Sequence, residues 1–333
     1  MNSARVLAEK LLSSAFSTGA SDIHFYPFLK ETNIFFRVHG KRILHRQITA
    51  SQYDAILTYF KFTSGIDIGE TRKPQNGAIS FYFSKKSYAL RISTLPLGHK
   101  ESLAIRILPQ EKALPLDKLF LFPNQVNKLK AWMDKPAGII LLTGPTGSGK
   151  TTTLYALLQS IMEERTCQTI TLEDPIEKKL DNIFQVQINE KAGITYQTGL
   201  KAALRHDPDI IMIGEIRDAF TAKFAFNASL TGHLVLSTLH AKDTVGTIHR
   251  LLDMGIKQID LQQSLIGVAS LQLLPITLNT GKKRRAAIME FLDGHALDQS
   301  IKEKKGTGIQ RIQSFHHLRK KAFAYGYIDQ TLL

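Results

Sequence analysis

The sequence predicts an α/β protein of two domains, and three observations lead to that prediction. The chain has 333 residues, which is enough for two domains of ordinary size, each with its own hydrophobic core. A proline-rich segment at 109–117 separates two stretches of different pattern. After this segment, short apolar strands alternate with helices, which is typical of a parallel sheet covered on both faces.

The first predicted domain spans residues 1–108 and has a mixed α/β pattern. Residues 2–17 are predicted to form a helix with four apolar side chains on one side, namely Leu7, Leu11, Leu12 and Ala15. Strand-like runs follow at 33–38, 78–83, 89–94 and 103–108. The segment 109–117 contains Pro109 and Pro115. Because proline interrupts both helices and sheets, we interpret this segment as a linker.

The second predicted domain, at 118–275, contains the alternation of strands and helices. Its strands are predicted at 138–143, 169–173, 210–214 and 234–238. Helices are predicted from Lys150 onwards and near 198–206. The remaining residues, 276–333, are basic, and we predict a helical region there.

The charge of the chain is strongly positive and unevenly distributed. Lys and Arg number 43 against 29 Asp and Glu, a formal net charge of +14, which favours an anionic partner such as nucleic acid, a membrane surface or phosphate. Residues 1–112 carry 16 basic and 8 acidic side chains, and residues 281–333 carry 11 and 5. Residues 113–280 carry 16 of each, so the surplus lies outside the part that alternates strands and helices.

Composition disfavours several classes of protein. The single cysteine, Cys167, excludes an intrachain disulfide and a zinc site built from several cysteines, and it fits a reducing, cytosolic setting. Glu9 and Lys10 interrupt any apolar signal-peptide core near the start. The uncharged run 224–239 is too short and too polar to span a bilayer, so we expect any membrane contact to be peripheral.

A phosphate-binding motif follows the strand predicted at 138–143. It fits the P-loop pattern G-x-x-x-x-G-K-[ST] and consists of Gly144, Pro145, Thr146, Gly147, Ser148, Gly149, Lys150 and Thr151, with Thr152 next in the helix. The glycines let backbone N–H groups turn towards phosphate oxygens, and the helix N-terminus adds a favourable dipole. We predict that Lys150 binds the β- and γ-phosphates of a nucleotide and that the Thr151 hydroxyl binds Mg²⁺.

Two carboxylates are predicted at the same edge of the sheet as the P-loop. One apolar strand leads to Glu215, which we assign to Mg²⁺ binding, partly through water, and to positioning of water. Another strand leads to Glu173, which we assign as the leading general base for the attacking water. The two roles could be exchanged. The neighbouring Asp174 and Glu177 fit a solvated loop equally well.

Histidines and arginines complete the candidate catalytic residues. His233 and His240 lie at the two ends of one predicted strand on opposite faces, so they cannot share a metal ion there. They fit either two hydrogen-bonded structural histidines or, at the polar strand end, a sensor of the γ-phosphate. Four arginines could neutralise charge on a transferring phosphoryl group, although most arginines are solvated or form salt bridges: Arg91, Arg106, Arg205 and Arg217.

Together these motifs resemble the family of traffic ATPases of type II secretion and type IV pili. In the first domain the similarity lies at 20–24, 37–40, 65–77 and 91–96, and at Arg106. In the second domain it covers the acidic box 173–177, the Walker B segment 214–218 and the histidine box 231–240. The sequence departs from the family pattern at His39, Asn76, Phe220 and Leu273.

The resemblance implies a RecA-like P-loop ATPase domain, a smaller PAS-like N-terminal α/β domain and a helical C-terminal tail. It also implies a homohexamer that binds ATP and Mg²⁺ between the two domains of one chain. Arg91 and Arg106 would then act across a subunit interface. The expected partner is a polytopic membrane platform protein. The chain would therefore be cytoplasmic and peripheral at the cytoplasmic face of the membrane.

Within the family, residues 214–218 and 250–256 resemble assembly members more than retraction members. Many assembly members carry an extra N-terminal domain and a four-cysteine zinc insertion, which the short first domain and the lone Cys167 do not permit. The chain therefore most resembles the assembly ATPase of the DNA-uptake (competence) pilus of Gram-positive bacteria. We expect an ATPase that powers assembly of such a pilus and has no zinc site.

Several alternatives remain open at this stage. Within the family, the chain could serve pilus retraction or type II secretion. A RecA-like nucleic-acid motor and a catalytically silent docking ring come from other functional classes. The neutral middle third disfavours the nucleic-acid motor, so we expect no direct contact with nucleic acid. The basic segments 282–285 and 319–321 fit an anionic membrane surface or an acidic loop of the platform protein.

Overall fold

The computed structural model divides the chain into two compact units, Met1–Lys112 and Ala113–Leu333. It describes residues 2–38, 40–98, 100–110, 114–277, 283–302 and 314–332. Three sequence predictions therefore lie partly or wholly outside the described residues: His39, positions 111–113 of the linker, and Lys282 of the basic segment. In the described ranges, we find no helix with the length and apolar character needed to cross a membrane.

The first unit is an antiparallel sheet with two helices packed on one face. Its elements are α1 (Asn2–Ser17), β1 (Asp22–Pro27), β2 (Glu31–Val38), β3 (Lys41–Thr49), α2 (Ala50–Thr63), β4 (Gln75–Phe83), β5 (Lys86–Pro96) and β6 (Glu101–Pro109). The strand order is β3-β2-β1-β6-β5-β4. Alternate residues such as Ile23 and Phe25 of β1 are buried beneath the helices, as the period of a half-buried strand requires. The predicted helix over 2–17 is confirmed.

The second unit contains a sheet whose parallel strands alternate with helices. Its first half comprises α3 (Leu116–Leu119), α4 (Pro123–Met133), β7 (Gly138–Thr143), α5 (Lys150–Glu164), β8 (Thr169–Glu173), β9 (Phe184–Gln187) and α6 (Tyr196–Ala203). Its second half comprises β10 (Ile210–Ile216), α7 (Ala219–Leu230), β11 (Leu234–Leu239), α8 (Thr244–Asp253), α9 (Gln258–Ser264), β12 (Leu265–Thr277), β13 (Lys283–Asp293), α10 (Gly294–Lys302) and α11 (Phe315–Ala324). Short 3₁₀ turns lie at Glu190–Ala192, Leu204–His206 and Gln330–Leu332.

The sheet of the second unit has the order β13-β12-β7-β11-β10-β8-β9. Its strands run parallel except for β13, which pairs antiparallel with β12. Every residue of β7 and β11 is buried, as expected for strands with helices on both faces. Ile139 and Leu141 belong to the hydrophobic core on one face, and Ile140 and Leu142 to the core on the other. The carboxyl ends of β7, β8, β10 and β11 therefore meet at one edge, where α/β sheets bind ligands.

The region 276–333 is only partly the helical tail that the sequence predicts. Helices α10 and α11 are present, but residues 283–293 form strand β13, which corrects the prediction for this stretch. Ala286, Ala287 and Met289 favour a helix locally. All three are buried, because β13 pairs along β12 and packs against a hydrophobic cluster on each face. Tertiary burial therefore overrides the local preference.

Candidate active site

The P-loop lies between the buried strand β7 and the helix α5. Gly144 has φ 136°, and a Cβ atom at this position would lie 2.7 Å from the carbonyl oxygen of Leu271 on β12. Gly149 has φ 96° and precedes the first residue of α5. Both backbone conformations favour glycine, so the two residues allow the chain to turn sharply from the strand into the helix.

The side chain of Lys150 folds back into the P-loop. Its Nζ donates hydrogen bonds to the carbonyl oxygens of Gly144 at 2.9 Å and Pro145 at 3.1 Å, and lies 3.5 Å from His240 Nδ1. Burial lowers the pKa of Lys150, while the nearby Glu215 carboxylate opposes that change. The ammonium group is thus held by neutral carbonyl groups, which phosphate oxygens could replace.

A polar cavity of about 420 Å³ opens beside the P-loop. Six P-loop and α5 residues line it: Thr146, Gly147, Gly149, Lys150, Thr151 and Thr152. The strand ends of β8, β10 and β11 supply further lining residues: Glu173, Asp174, Glu215, Arg217, Thr238 and His240. The volume falls within the range of small-molecule sites, and the predicted phosphate, carboxylate and histidine groups converge on it.

Glu215 lies at the centre of a charged cluster in this cavity. Its carboxylate accepts a hydrogen bond from Arg217 Nε at 3.0 Å and lies 3.4 Å from His240 Nε2. Arg217 also donates to Asp174 Oδ2 at 3.1 Å, and the hydrogen bond with Glu215 raises the pKa of Arg217. His240 therefore lies between Lys150 and Glu215, and it connects the P-loop to the Walker B carboxylate.

Glu173 also lines the cavity, but its carboxylate is occupied by neutral donors. Thr171 Oγ1 donates to it at 2.6 Å and Gln185 Nε2 at 3.1 Å, and the Tyr155 hydroxyl donates to the other oxygen. Glu173 is 2 % exposed, whereas the Glu215 side chain is 25 % exposed. Three of about four lone-pair positions of Glu173 are in use, so Glu215 is the carboxylate better able to meet a water molecule.

Two predicted catalytic residues, His233 and Arg205, lie away from the cavity of their own unit. His233 precedes β11 at the amino end of that strand, where its Nδ1 lies 3.1 Å from Thr231 Oγ1 and 3.2 Å from the Ala228 carbonyl oxygen. Arg205 lies on an exposed 3₁₀ turn before the amino end of β10. Opposite ends of a parallel strand are separated by its full length, so neither residue reaches the phosphate site of its own unit.

Arg91 and Arg106 lie in the first unit, directly opposite each other on the adjacent strands β5 and β6. Arg106 Nε donates to Asp22 Oδ1 at 2.9 Å. Burial opposes ionisation of Asp22, but the hydrogen bonds from Arg106 and Ser21 outweigh it, so the pKa of Asp22 is lowered. Arg91 has a buried guanidinium nitrogen, Nη2, without a hydrogen-bond partner in the described part of the chain.

The chain matches the protein family described as "Type II/IV secretion system protein" over residues 2–322. The chain belongs to this family. It is 41% identical to the competence protein ComGA of Bacillus subtilis, over 98% of this chain and 96% of that protein. It is 42% identical to the type II secretion system ATPase E of Vibrio cholerae, over 80% of this chain and 53% of that protein. The crystal structure of the pilus retraction motor PilT with bound ADP superimposes with a TM-score of 0.79 and 27% identity, over 97% of this chain and 94% of that one.

Family membership confirms the predicted resemblance and agrees with the P-loop geometry. This secretion-family protein is an ATPase with an α/β fold, and its cavity is the candidate site of nucleotide binding.

Residues that sequence reasoning did not assign to this secretion-family site include Tyr155, which contacts Glu173, and Tyr196, Leu273 and Arg285, which line the cavity. Tyr155 lies one turn into α5, and only its position after the P-loop could have suggested a contact with Glu173. Burial, together with the charge of Asp174, raises the pKa of Tyr196 to about 12. Arg285 belongs to the basic segment for which the sequence suggests an anionic membrane surface or an acidic loop of the platform protein. Only the strand register of β12 and β13 reveals its position in the cavity.

Proposed function

We propose that this ATPase hydrolyses ATP to power the assembly of a pilus for DNA uptake. The observation that carries the proposal of hydrolysis is the convergence of Lys150, Glu215 and His240 on one cavity beside the P-loop. The similarity to the competence protein ComGA supports the pathway, because it extends over nearly the full length of both proteins. The Vibrio cholerae secretion ATPase is matched over only 53% of its length.

The residues present fit ATP with Mg²⁺. The Ser148 hydroxyl in the P-loop is buried with no hydrogen-bond partner within the described ranges, which is costly unless a bound group satisfies it. Thr151 and Glu215 offer a hydroxyl and a carboxylate oxygen, the hard ligands that Mg²⁺ prefers together with water. Bound Mg²⁺ would neutralise charge on the β- and γ-phosphates. With one cysteine in the chain, we expect no zinc requirement.

We assign the general base to Glu215 and not to Glu173, which was the leading candidate from the sequence. Glu215 would take the proton from the attacking water in the reaction ATP + H₂O → ADP + phosphate. Lys150 would stabilise the charge that develops on the phosphoryl oxygens. His240 lies within 3.5 Å of the side chains of Lys150 and Glu215 and would fix their positions relative to each other. Glu173, fixed by three donors, would position the loop that follows β8.

We further propose that the protein acts as a homohexamer at the cytoplasmic face of the membrane, on a polytopic platform protein. Arg91 and Arg106 would supply positive charge to a nucleotide of a neighbouring subunit. Arg91 and Arg106 lie directly opposite each other on adjacent strands, so they place two positive charges on one face of the same sheet, which supports this role. The basic segment that includes Arg319 and Lys321 would face anionic lipid.

Two measurements on the full-length chain test this proposal. Phosphate release by the purified protein should require Mg²⁺ and should be lost in Lys150→Ala. In the source organism, deletion of the gene should abolish DNA uptake, and expression of the unaltered chain, but not of Lys150→Ala, should restore it. Stimulation of hydrolysis manyfold by DNA would contradict the proposal and favour a nucleic-acid motor. Normal DNA uptake with loss of protein secretion in the deletion strain would favour type II secretion.

A further inference from the structure

The β12–β13 hairpin forms one wall of the cavity beside the P-loop. Leu273 of β12 and Arg285 of β13 both line the cavity. Arg285 pairs with Pro275 and Ala287 pairs with Leu273, so Arg285 and Leu273 are diagonal neighbours on one face of the hairpin. On this face, Leu271 and Ala287 pack in the same core cluster as α5. Arg285 therefore projects on the side of the sheet where the P-loop helix lies.

The position of this wall identifies the part of the nucleotide that it would meet. β12 is next to β7 on one side, and β11 and β10 are on the other side. Glu215, near the carboxyl end of β10, and His240, which follows β11, lie beside Lys150 and so mark the γ-phosphate end. Leu273 lies at the opposite side, with Cδ2 3.7 Å from the place of a Cβ atom on Gly149. The hairpin wall thus faces the α-phosphate and the adenosine.

Arg285 is a cation in a setting that favours an anion. It is exposed, and no hydrogen bond or ion pair holds it within the described ranges. The carboxylate of Glu215 is already engaged by Arg217, and that of Glu173 by three neutral donors. The amino end of α5 adds partial positive charge to the same cavity. A guanidinium group here is stabilised when a phosphate group lies between it and the helix end.

We propose that Arg285 binds the α-phosphate of the nucleotide and that Leu273 contacts the ribose beside it. The proposal rests on nucleotide binding at the P-loop and adds a residue from outside the recognised motifs. The α-phosphate is unchanged by hydrolysis, so the contact is equally strong in the substrate complex and in the transition state. Arg285 therefore contributes to affinity for both ATP and ADP and not to the chemical step.

The test compares two neighbouring arginines of β13 in the full-length protein. Arg284 pairs with Ile276, so it lies on the opposite face of the hairpin and is a matched control for the loss of one positive charge. Binding of ADP is measured by calorimetry for the unaltered chain, Arg285→Gln and Arg284→Gln. We expect Arg285→Gln to weaken ADP binding and to raise KM for ATP by roughly 10–100-fold, with kcat not lowered. Arg284→Gln should bind as the unaltered chain does.

Three results would overturn the proposal. The first is unchanged ADP affinity in Arg285→Gln, and the second is equal weakening in both variants, which would indicate only general charge. The third is a large fall in kcat at saturating ATP, which would place Arg285 at the γ-phosphate. Equal thermal melting of the three proteins excludes misfolding, and Arg285→Lys provides a second variant that keeps the charge. If the unaltered chain bound no ADP, the proposed function itself would fail. If ADP binding were lost in Lys150→Ala but kept in Arg285→Gln, only the role proposed for Arg285 would be contradicted.

Discussion

Replacing Glu215 and Glu173 in turn with glutamine distinguishes the general base from the carboxylate that has a structural role. The Glu215 side chain is 25 % exposed, and its carboxylate accepts a hydrogen bond from the exposed Arg217. Unlike Glu173, it is not held by a set of buried neutral donors among the residues that the structure describes. Removing its charge should leave the fold and ATP binding intact. Since a general base contributes about 10²–10⁴-fold, kcat should fall by that factor in Glu215→Gln. This corresponds to roughly 3–5 kcal/mol of barrier.

The effect of Glu173→Gln should be on stability. The Glu173 carboxylate is buried and accepts from Tyr155, Thr171 and Gln185. A glutamine amide has one acceptor oxygen and no charge, so at least one charge-assisted bond of about 1.5–3 kcal/mol is lost. For a unit of this size, each kcal/mol corresponds to about 2–4 °C in melting temperature. We therefore expect Glu173→Gln to melt roughly 3–12 °C lower, with the loss of hydrolysis smaller than in Glu215→Gln.

Both quantities can be measured on the same preparations. Differential scanning calorimetry gives the melting temperature, and single-turnover hydrolysis gives the rate of the chemical step without product release. The assignment would be refuted if Glu173→Gln melted like the unaltered chain and lost hydrolysis while Glu215→Gln retained it. In that case Glu173 would be the base, and its three donors would serve to orient it.

Three other changes have defined outcomes. Lys150→Ala should weaken binding of ADP by at least about tenfold in calorimetry, because a charged contact to phosphate is lost. Tyr155→Phe removes the hydroxyl that donates to Glu173, and thermal melting should show about 1–3 kcal/mol of destabilisation. Asp22→Asn should destabilise the chain by about 1–3 kcal/mol at pH 7, because it removes the negative charge that pairs with Arg106. The pKa of Asp22 is lowered from 3.8, so its stabilising effect is present above that value and is lost as the pH falls through the lower folded value. Urea unfolding at pH 7 and near pH 2 checks this, and an equal deficit at both would contradict the ion pair.

The parts of the site that depend on local patterns could be predicted from the sequence. The P-loop requires glycines at φ values that other residues avoid, and the motif therefore appears in consecutive letters. Glu215 lies near the carboxyl end of one buried apolar strand and His240 follows another, and parallel strands bring their carboxyl ends to one edge. Strand direction is enough to bring these residues together.

The remaining features depend on tertiary placement, which strand and helix patterns do not specify. His233 and His240 flank the same strand, β11, and only the end at which each residue lies distinguishes the active-site histidine from the structural one. Strand β13 contains strong helix formers and becomes a strand because β12 offers it a partner and two apolar faces. Arg285 has no local signal at all, because its place in the cavity depends on that pairing.

The structure also changes the meaning of the net charge of +14. A surplus of arginine and lysine suggests a nucleic-acid or membrane partner only if these cations are assumed to be exposed and unpaired. Arg106 is paired with Asp22, and Arg285 lines the cavity beside the P-loop. Both belong to the two segments of the sequence that carry the surplus. The surplus of positive charge therefore includes side chains that pair with a buried carboxylate or lie beside the phosphate-binding loop. The location of each cation indicates its partner better than the net charge does.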